Sequence, residues 1–316
     1  MDATPFVRLP EGASSGTPSR DLGELRIGPA VFRWGARTYV MGILNVTPDS
    51  FSGDGLLAGN GDTPSEGAQG GTAPRAALAI ARRMAAEGAD LLDVGGESTR
   101  PGHRPVTAAE ERARVVPVIA ALREALPDMP LSVDTTKADV AAAALDAGAH
   151  LVNDIWGVAA DPTMLALAAE RGVPVVLMHN RAEARYRNLV AEVIADLEAA
   201  LERAEAAGVS RDAILVDPGI GFGKTPEQNL VLLRELASLR VLRRPILLGT
   251  SRKSTIGRVL DLPPGERLEG TLATTALGVA AGVDMVRVHD VAANVRTARM
   301  ADAVVREVQR LTVGPG

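Results

Sequence analysis

The fold is decided by the stretch Tyr39-Val-Met-Gly-Ile-Leu-Asn-Val-Thr-Pro-Asp-Ser-Phe-Ser-Gly-Asp-Gly55. From Tyr39 to Leu44 it is a short apolar run flanked by breakers, the pattern of a buried strand. At Asn45 the run gives way to a polar loop in which Pro-Asp-Ser is ordinary turn chemistry. Asn45 carries a neutral carbonyl oxygen and an NH2, groups able to hold a hard cation or a phosphate without adding a competing full charge. Taken alone, the stretch is a strand followed by a surface turn. What decides its meaning is that an apolar strand ending in a polar cluster recurs down the chain.

Working outward, strands are expected at Asp90–Val94, Pro130–Val133, His150–Val152, Val173–Met178, Ala213–Val216, Pro245–Leu248 and Asp284–Val288. Helical segments separate them. Arg75–Glu87 carries Ala77, Ile80, Ala81 and Met84 on one face, and Thr107-Ala-Ala-Glu110 reads as a capping box opening the next helix. An alanine-rich helix stops at Gly148, Asp161-Pro162 starts another, and Leu189, Val193, Leu197 and Leu201 stripe a long one. Two helical segments follow the seventh strand, and a last helix runs from about Val291 to Leu311.

Nearly unbroken apolar strands alternating with helices are the mark of parallel strands covered on both faces, an α/β protein. A doubly wound open sheet also fits the alternation. The count of eight strands, the chain length and the polar cluster after each strand favour a closed (β/α)8 TIM barrel. Residues 1–23, rich in Gly, Ser, Thr and Pro, read as a loose N-terminal arm, and 24–316 as a single barrel domain. Val31–Val40 alternates like a small hairpin over one end of the fold, and Gly53–Pro74 reads as a mobile lid or a tolerated insertion.

Composition sets limits on function. A 46% hydrophobic, 23% charged chain describes a soluble globular protein, and a formal charge of −5 gives no basic footprint for nucleic acid. No cysteine is present, which removes disulfides, thiolate nucleophiles and Cys-ligated zinc. The N-terminus lacks signal-peptide features and no run is long and apolar enough to span a bilayer, so a cytoplasmic protein without a membrane partner is expected.

In a barrel all eight strand ends share one rim. Asn45, Asp93, Asp134, Asn153, His179, Asp217, Ser251–Lys253 and Arg287–His289 would then converge on a single pocket. Asp134 and Asp217 with the amide of Asn153 suit a nitrogen-rich heterocycle, because carboxylates accept from ring N–H and amino groups. Asp134, followed by Thr135-Thr136 and a helix, reads also as a helix cap; Asp217, followed by Pro218-Gly219, does so less naturally. Glycines 219, 221 and 223 permit close approach of backbone to a ligand, and Lys224 beside them reads as a surface lysine. Ser251-Arg-Lys-Ser254 and Arg287-Val-His289 follow strands seven and eight, where this fold commonly holds phosphate. For Arg287 a salt bridge with Asp217 or Asp134 is the plain structural alternative. Arg100 adds a third cation, His150 at the opposite rim reads as structural, and His103 has no assignment.

With these motifs assembled, the chain closely resembles the dihydropteroate synthase family of folate biosynthesis. The resemblance rests on Met41-Gly-Ile-Leu-Asn-Val-Thr-Pro-Asp-Ser-Phe51, Asp93-Val-Gly-Gly-Glu-Ser-Thr-Arg-Pro-Gly102, Ser132-Val-Asp-Thr135, Asn153-Asp-Ile155, Asp217-Pro-Gly219, Ser251-Arg-Lys-Ser254 and Arg287-Val-His-Asp290. It covers roughly residues 24–312, in the family's order. It implies condensation of 6-hydroxymethyl-7,8-dihydropterin diphosphate with 4-aminobenzoate, Mg2+ as cofactor, a homodimer, and the family's standing as a sulfonamide target. By the same resemblance Asp134, Asn153, Asp217 and Lys253 hold the pterin, and Arg287 stacks on it. Asn45 binds the metal, and Asn45, Thr99, Arg100, Arg287 and His289 contact the diphosphate. Ser251, Arg252, Phe222, Thr99 and Pro101 frame the aminobenzoate, with Asp134, Asp217 and Lys253 as the catalytic group. A buried carboxylate, Asp134, would stabilise the cation left on the pterin methylene, and the aniline nitrogen would then attack without a protein nucleophile.

The chain departs from the family pattern in three places. Ser50-Phe-Ser-Gly-Asp-Gly55 moves the loop acid one place, to Asp54; Met178-His-Asn-Arg181 replaces Met-His-Met-Gln-Gly; and the Gly53–Pro74 segment is longer than usual. Two other functions compete: a methyltetrahydrofolate:corrinoid methyltransferase, which shares the pterin pocket but handles no diphosphate, and a non-catalytic pterin-binding homologue.

Overall fold

Alternation along each strand explains the architecture seen in the computed structural model, which describes residues 22–47, 72–97, 106–156, 161 and 163–306. A hairpin, β1 (Glu24–Ile27) and β2 (Ala30–Arg33), precedes the first barrel strand, β3 (Tyr39–Asn45). The βα cycle then runs α1 (Thr72–Ala86), β4 (Leu91–Gly95), α2 (Ala108–Ala125), β5 (Leu131–Asp134), α3 (Ala138–Asp146) and β6 (Leu151–Asp154). It continues through α4 (Met164–Arg171), β7 (Val175–Met178), α5 (Leu189–Ala206), β8 (Ile214–Asp217), α6 (Pro226–Arg234) and β9 (Leu247–Leu248). The cycle ends with α7 (Ser254–Leu260), α8 (Leu268–Ala280), β10 (Met285–Val288) and α9 (Val291–Val305).

The strands form one eight-stranded sheet in the order β8-β7-β6-β5-β4-β3-β10-β9, with every pairing parallel. A parallel bridge between Val216 and Ile246 joins β8 to β9, so the sheet meets itself as a barrel. The seam is thin because Pro245 has no N–H to give; its carbonyl alone accepts from Val216 N at 2.9 Å. This shortens the expected strand Pro245–Leu248 to two residues.

Two apolar layers result. Outward-facing residues such as Leu92, Val94, Val133 and Val216 pack against the buried stripes of the helices, including Val115, Ile119, Val193 and Leu201. Inward-facing Met41, Leu91, Leu151, Val176, Leu215, Leu247 and Met285 fill the barrel and are plugged by Ile27, Phe32 and Trp34. Phe32 stacks on Trp34 at 5.7 Å and tilts against Tyr39 at 4.7 Å between ring centroids.

The plugging hairpin lies N-terminal to the expected Val31–Val40. Gly28, at φ +55°, and Pro29 make its turn, and pairing runs from Ile27–Ala30 to Glu24–Arg33. Residues Tyr39 and Val40 instead begin β3, because their partners are Met285 and Val286 of β10. Of the expected 1–23 arm, Leu22 packs beside the plug and Gly23 O accepts from Trp34 N; residues 1–21 lie outside the described residues.

Two helix starts also differ from expectation. Thr107 caps α2 by accepting from Glu110 N at 3.2 Å, but Glu110 turns to Arg114 instead of closing the box. A complete capping box stands at Thr225–Gln228, opening α6. Asp161 does not begin α4, whose N-cap is Thr163; its carboxylate receives Thr163 N and Ala138 N. Of the Gly53–Pro74 segment, Thr72–Pro74 belong to α1, and 53–71 lie outside the described residues, as do 307–311 of the last expected helix. No helix among the described residues is long and apolar enough to cross a membrane.

Candidate active site

Register places the polar strand ends at one level. Asp93 lies beside Ser132, Asn45 beside Gly95, Gly95 beside Asp134, Asp134 beside Asn153, and Met178 beside Asp217. Because side chains alternate, the inward residues nearest the strand ends, Asn45, Asp93, Asp134, Asn153 and Asp217, face the interior where the βα loops begin.

Asp93 is the hub of this floor. It is fully buried, and its Oδ2 accepts from Arg287 Nε at 2.6 Å and from Asn153 Nδ2 at 2.9 Å. Arg287 Nη2 also donates to Asp134 Oδ2 at 2.5 Å. The cap reading of Asp134 therefore fails: Lys137 is the N-cap of α3, and Asp134 is spent on the guanidinium. Burial opposes charge on Arg287, but Asp93 and Asp134 outweigh it and hold the guanidinium above its ordinary range. Burial pushes the Asp134 carboxyl up to about 7 despite Arg287, with Asp93 adding to the rise. Since a carboxylate only accepts, Asp93 also orients the Asn153 amide, leaving Asn153 Oδ1 as an acceptor for a ligand.

Across the floor, Asp217 Oδ1 accepts from Gly219 N at 2.6 Å, and burial raises its carboxyl against the opposing charge of Lys253. A Cβ built on Gly249 would lie 3.7 Å from Asp217 Oδ2, 3.8 Å from Lys253 Nζ and 4.0 Å from Arg287 Cβ, so this glycine leaves the room into which all three converge. Lys253 donates to Ile220 O and stands 4.5 Å over the Phe222 ring centroid; burial pushes its ammonium down to about 8. The interior end of the pocket thus carries three carboxyls, Asp93, Asp134 and Asp217, against two cations, Lys253 and Arg287. Acceptors, a lysine donor and a planar guanidinium side by side suit a flat ring bearing N–H groups.

The opposite edge is built by the turns after β9 and β10. Ser251 Oγ lies 3.0 Å from His289 Nδ1 and accepts from His289 N at 3.1 Å. Arg252, in the left-handed region at φ +57°, makes a bidentate pair with Asp290 at 3.0 and 2.6 Å, and Arg267 holds its carbonyl at 3.0 Å. The cations of this edge are therefore fixed by neighbours rather than mobile.

Asn45 ends β3, and its Oδ1 and Asp134 Oδ2 approach the same side of Gly95, 3.7 and 3.6 Å from a Cβ built there. No group of three His, Asp or Glu side chains among the described residues could cage a metal by itself. The Asn45 amide oxygen is a neutral oxygen donor of the kind Mg2+ accepts. Thr99, Arg100, Pro101, His103 and Asp54 lie outside the described residues. His150 sits at the far end, its Nδ1 accepting from Leu131 N at 3.0 Å, as its structural reading required.

Two features escaped the sequence reading. The role of Asp93 as hub is one, although its place at a strand end was visible. The other is Lys224, which is no surface lysine: its Nζ lies 2.8 Å from His179 Nδ1 and 3.0 Å from both Gly219 O and Phe222 O.

The pterin binding enzyme family matches this chain over residues 41–289. A dihydropteroate synthase of Clostridium beijerinckii is 49% identical over 283 residues, covering 89% of this chain and all of that protein. One from Bacillus subtilis is 48% identical, covering 88% of this chain and 93% of its own. Among solved structures, a Clostridium difficile dihydropteroate synthase crystallised in the presence of pteroic acid superposes with a TM-score of 0.80 at 48% identity, over 87% of this chain and 100% of that one. A Xanthomonas albilineans dihydropteroate synthase with 4-aminobenzoic acid superposes with a TM-score of 0.77 at 44% identity, over 85% and 93%.

Proposed function

The chain belongs to the pterin-binding enzymes and, within them, to the dihydropteroate synthases, and from that premise we propose how its residues divide the work. The reaction joins 6-hydroxymethyl-7,8-dihydropterin diphosphate to 4-aminobenzoate, giving 7,8-dihydropteroate and diphosphate for tetrahydrofolate synthesis. The observation that carries the assignment of roles is the floor itself, where Asp134, Asn153, Asp217, Lys253 and Arg287 come together at one end of the barrel.

The pterin lies on this floor. Asp217 and the Asn153 carbonyl accept from its ring N–H and amino groups, Lys253 donates to its acceptors, and Arg287 packs on its face. The diphosphate points to the rim, toward Asn45, Thr99, Arg100, Arg287 and His289. Asn45 would hold Mg2+, which would supply the charge neutralisation that makes diphosphate a good leaving group. The methylene C–O bond breaks with its electron pair leaving on diphosphate. Asp134, buried within the floor, stabilises the resulting cation. The 4-aminobenzoate nitrogen, framed by Ser251, Arg252, Phe222, Thr99 and Pro101, adds its lone pair to the methylene carbon and loses a proton to complete the C–N bond. Arg252 frames this wall by bracing its turn on Asp290.

A cytoplasmic homodimer, in a family that is a sulfonamide target, completes the reading. An apolar groove between α8 and α9, with Leu272, Ala276, Met300 and Val304 in its lining, supports a second copy as its cover. Met300 and Val304 are 66% and 71% exposed.

Diphosphate release with and without Mg2+ and 4-aminobenzoate, for wild type and Lys253→Ala, tests the assignment. Mg2+-dependent release that drops about 100-fold in the variant, with dihydropteroate formed in step, is expected. A wild type that binds the pterin and releases nothing would make the chain a non-catalytic homologue.

A further inference from the structure

The glycine-rich loop after β8 is stitched to the exit of β7. A Cβ on Gly219, at φ +68°, would come 1.8 Å from His179 O, and one on Gly223, at φ +55°, would come 2.4 Å from Arg181 O. Only glycine permits backbones to approach this closely. Tyr186 adds a bond from its hydroxyl to Gly223 O at 2.7 Å. In the middle of this seam lies Lys224 Nζ, with three acceptors at 2.8, 3.0 and 3.0 Å: one on the β7 exit, His179 Nδ1, and two on the loop itself. Burial pushes its ammonium down to about 7 against the opposing charge of Asp217, and the protonated form has one N–H for each of the three acceptors.

The partners of His179 make this arrangement self-consistent. His179 Nε2 lies 3.1 Å from the Asp196 carboxylate, which can only accept, so the ring proton sits on Nε2 and Nδ1 is free to accept from Lys224. Burial, then the Lys224 charge, pushes His179 down to about 4, keeping it neutral. Asp196 in turn is held by Arg181 at 2.7 Å, and Arg181 by Glu192 at 2.8 Å. The result is a chain of partners running from α5 to the loop.

That loop carries Ile220, whose carbonyl receives Lys253, and Phe222, whose ring lies under the same lysine. We propose that Lys224 is a positioning residue: its Nζ locks the 219–223 loop to the β7 exit and thereby sets Phe222 and Ile220 against Lys253, fixing the wall that receives the aromatic amine. The inference rests on the functional reading above. It also gives the Met178-His-Asn-Arg181 stretch a purpose, since His179 and Arg181 are the fixed side of the seam.

The test compares wild type with Lys224→Met, Lys224→Arg, His179→Phe and the Lys224→Met/His179→Phe double variant. Each is measured for pterin binding by calorimetry and for kcat and KM toward 4-aminobenzoate at saturating pterin diphosphate and Mg2+. Lys224→Met is expected to raise KM for 4-aminobenzoate about 10-fold, with pterin affinity and kcat within about threefold of wild type. Lys224→Arg recovers part of the loss, because a planar guanidinium reaches some of the three acceptors. His179→Phe raises the same KM by about threefold, and the double variant is no worse than Lys224→Met alone, since the His179–Lys224 bond is already lost in the Lys224 variant. If Lys224→Met does not fold, the His179→Phe and Lys224→Arg values decide. An unchanged KM, or equal losses in pterin and amine binding, overturns the proposal. A wild type that makes no dihydropteroate overturns the functional reading instead, while the proposal is then read from 4-aminobenzoate binding to the pterin-loaded protein.

Discussion

Replacing Asp93 with asparagine asks whether one carboxylate holds together the floor on which the pterin is proposed to lie. The change is isosteric, so packing is kept while the charge is removed. Two charge-assisted hydrogen bonds, from Arg287 Nε at 2.6 Å and Asn153 Nδ2 at 2.9 Å, become bonds to a neutral amide. A charged partner is worth about 1 kcal/mol more than a neutral one for each bond, so the floor loses about 2 kcal/mol. Arg287 keeps Asp134, which spares the larger cost of about 3–5 kcal/mol for a buried charge left alone. If the ligand must rebuild the floor geometry, the same 2 kcal/mol appears as pterin binding weakened about 30-fold. Urea unfolding of the free protein and calorimetry with 6-hydroxymethyl-7,8-dihydropterin measure the two effects separately. A third readout follows from electrostatics: Asp93 helps to raise Asp134, so its neutralisation lowers the Asp134 pKa from about 7 and moves the acidic limb of the rate profile to lower pH. An Asp93→Asn protein that unfolds at the wild-type urea concentration and binds the pterin within twofold would refute the hub assignment.

Three further outcomes are expected. His179 is buried neutral with its pKa near 4, whereas an unfolded histidine titrates near 6.5; the unfolded chain therefore binds the extra proton between these values, and the histidine's share of stability is lost as pH falls through that window, by up to about 3 kcal/mol. Asp134, raised to about 7, works in the opposite sense there, so the effect is read as a shrinking stability gap between wild type and His179→Phe from pH 7 to pH 4.5 in urea titrations; a gap that stays constant contradicts it. Phe32→Ala, in the plug at the far end of the barrel, should cost about 3–5 kcal/mol in the same assay and leave KM for both substrates unchanged. Under the homodimer proposed above, Met300→Asp on the exposed α8–α9 groove should lower the sedimentation coefficient in sedimentation velocity to that of a single chain, and a coefficient equal to wild type's would remove that groove from the interface.

What was legible in the chain, and what was not, separates along a physical line. Eight apolar runs ending in polar residues are a local signal, because strand periodicity and the parallel arrangement dictate that the last inward residue faces the rim; Asp134, Asn153, Asp217 and Arg287 could be placed this way before any contact was known. Glycine stops such as Gly148, φ +109°, and Gly208, φ +95°, are equally local. Partnerships are not. Arg287 meets Asp134 across 153 residues, one of the two partners its strand-end position had offered, but it also meets Asp93 across 194, and no spacing rule says which carboxylates a guanidinium will choose once the barrel brings several within reach. The same limit explains the smaller differences. Glu110 preferred Arg114 to the cap, and the plug hairpin formed one strand earlier than its alternation implied, because Tyr39 and Val40 had partners on β10 that the hairpin could not match. Lys224 is the instructive case. As one charge beside a glycine-rich run it looked solvent-facing, yet the glycines that freed the loop's backbone are also what let a lysine reach two carbonyls of its own loop and a histidine at the exit of the preceding strand. A glycine-rich loop is loose only as long as nothing fills the space its missing side chains leave, and here backbone from the neighbouring strand exit and one ammonium fill it.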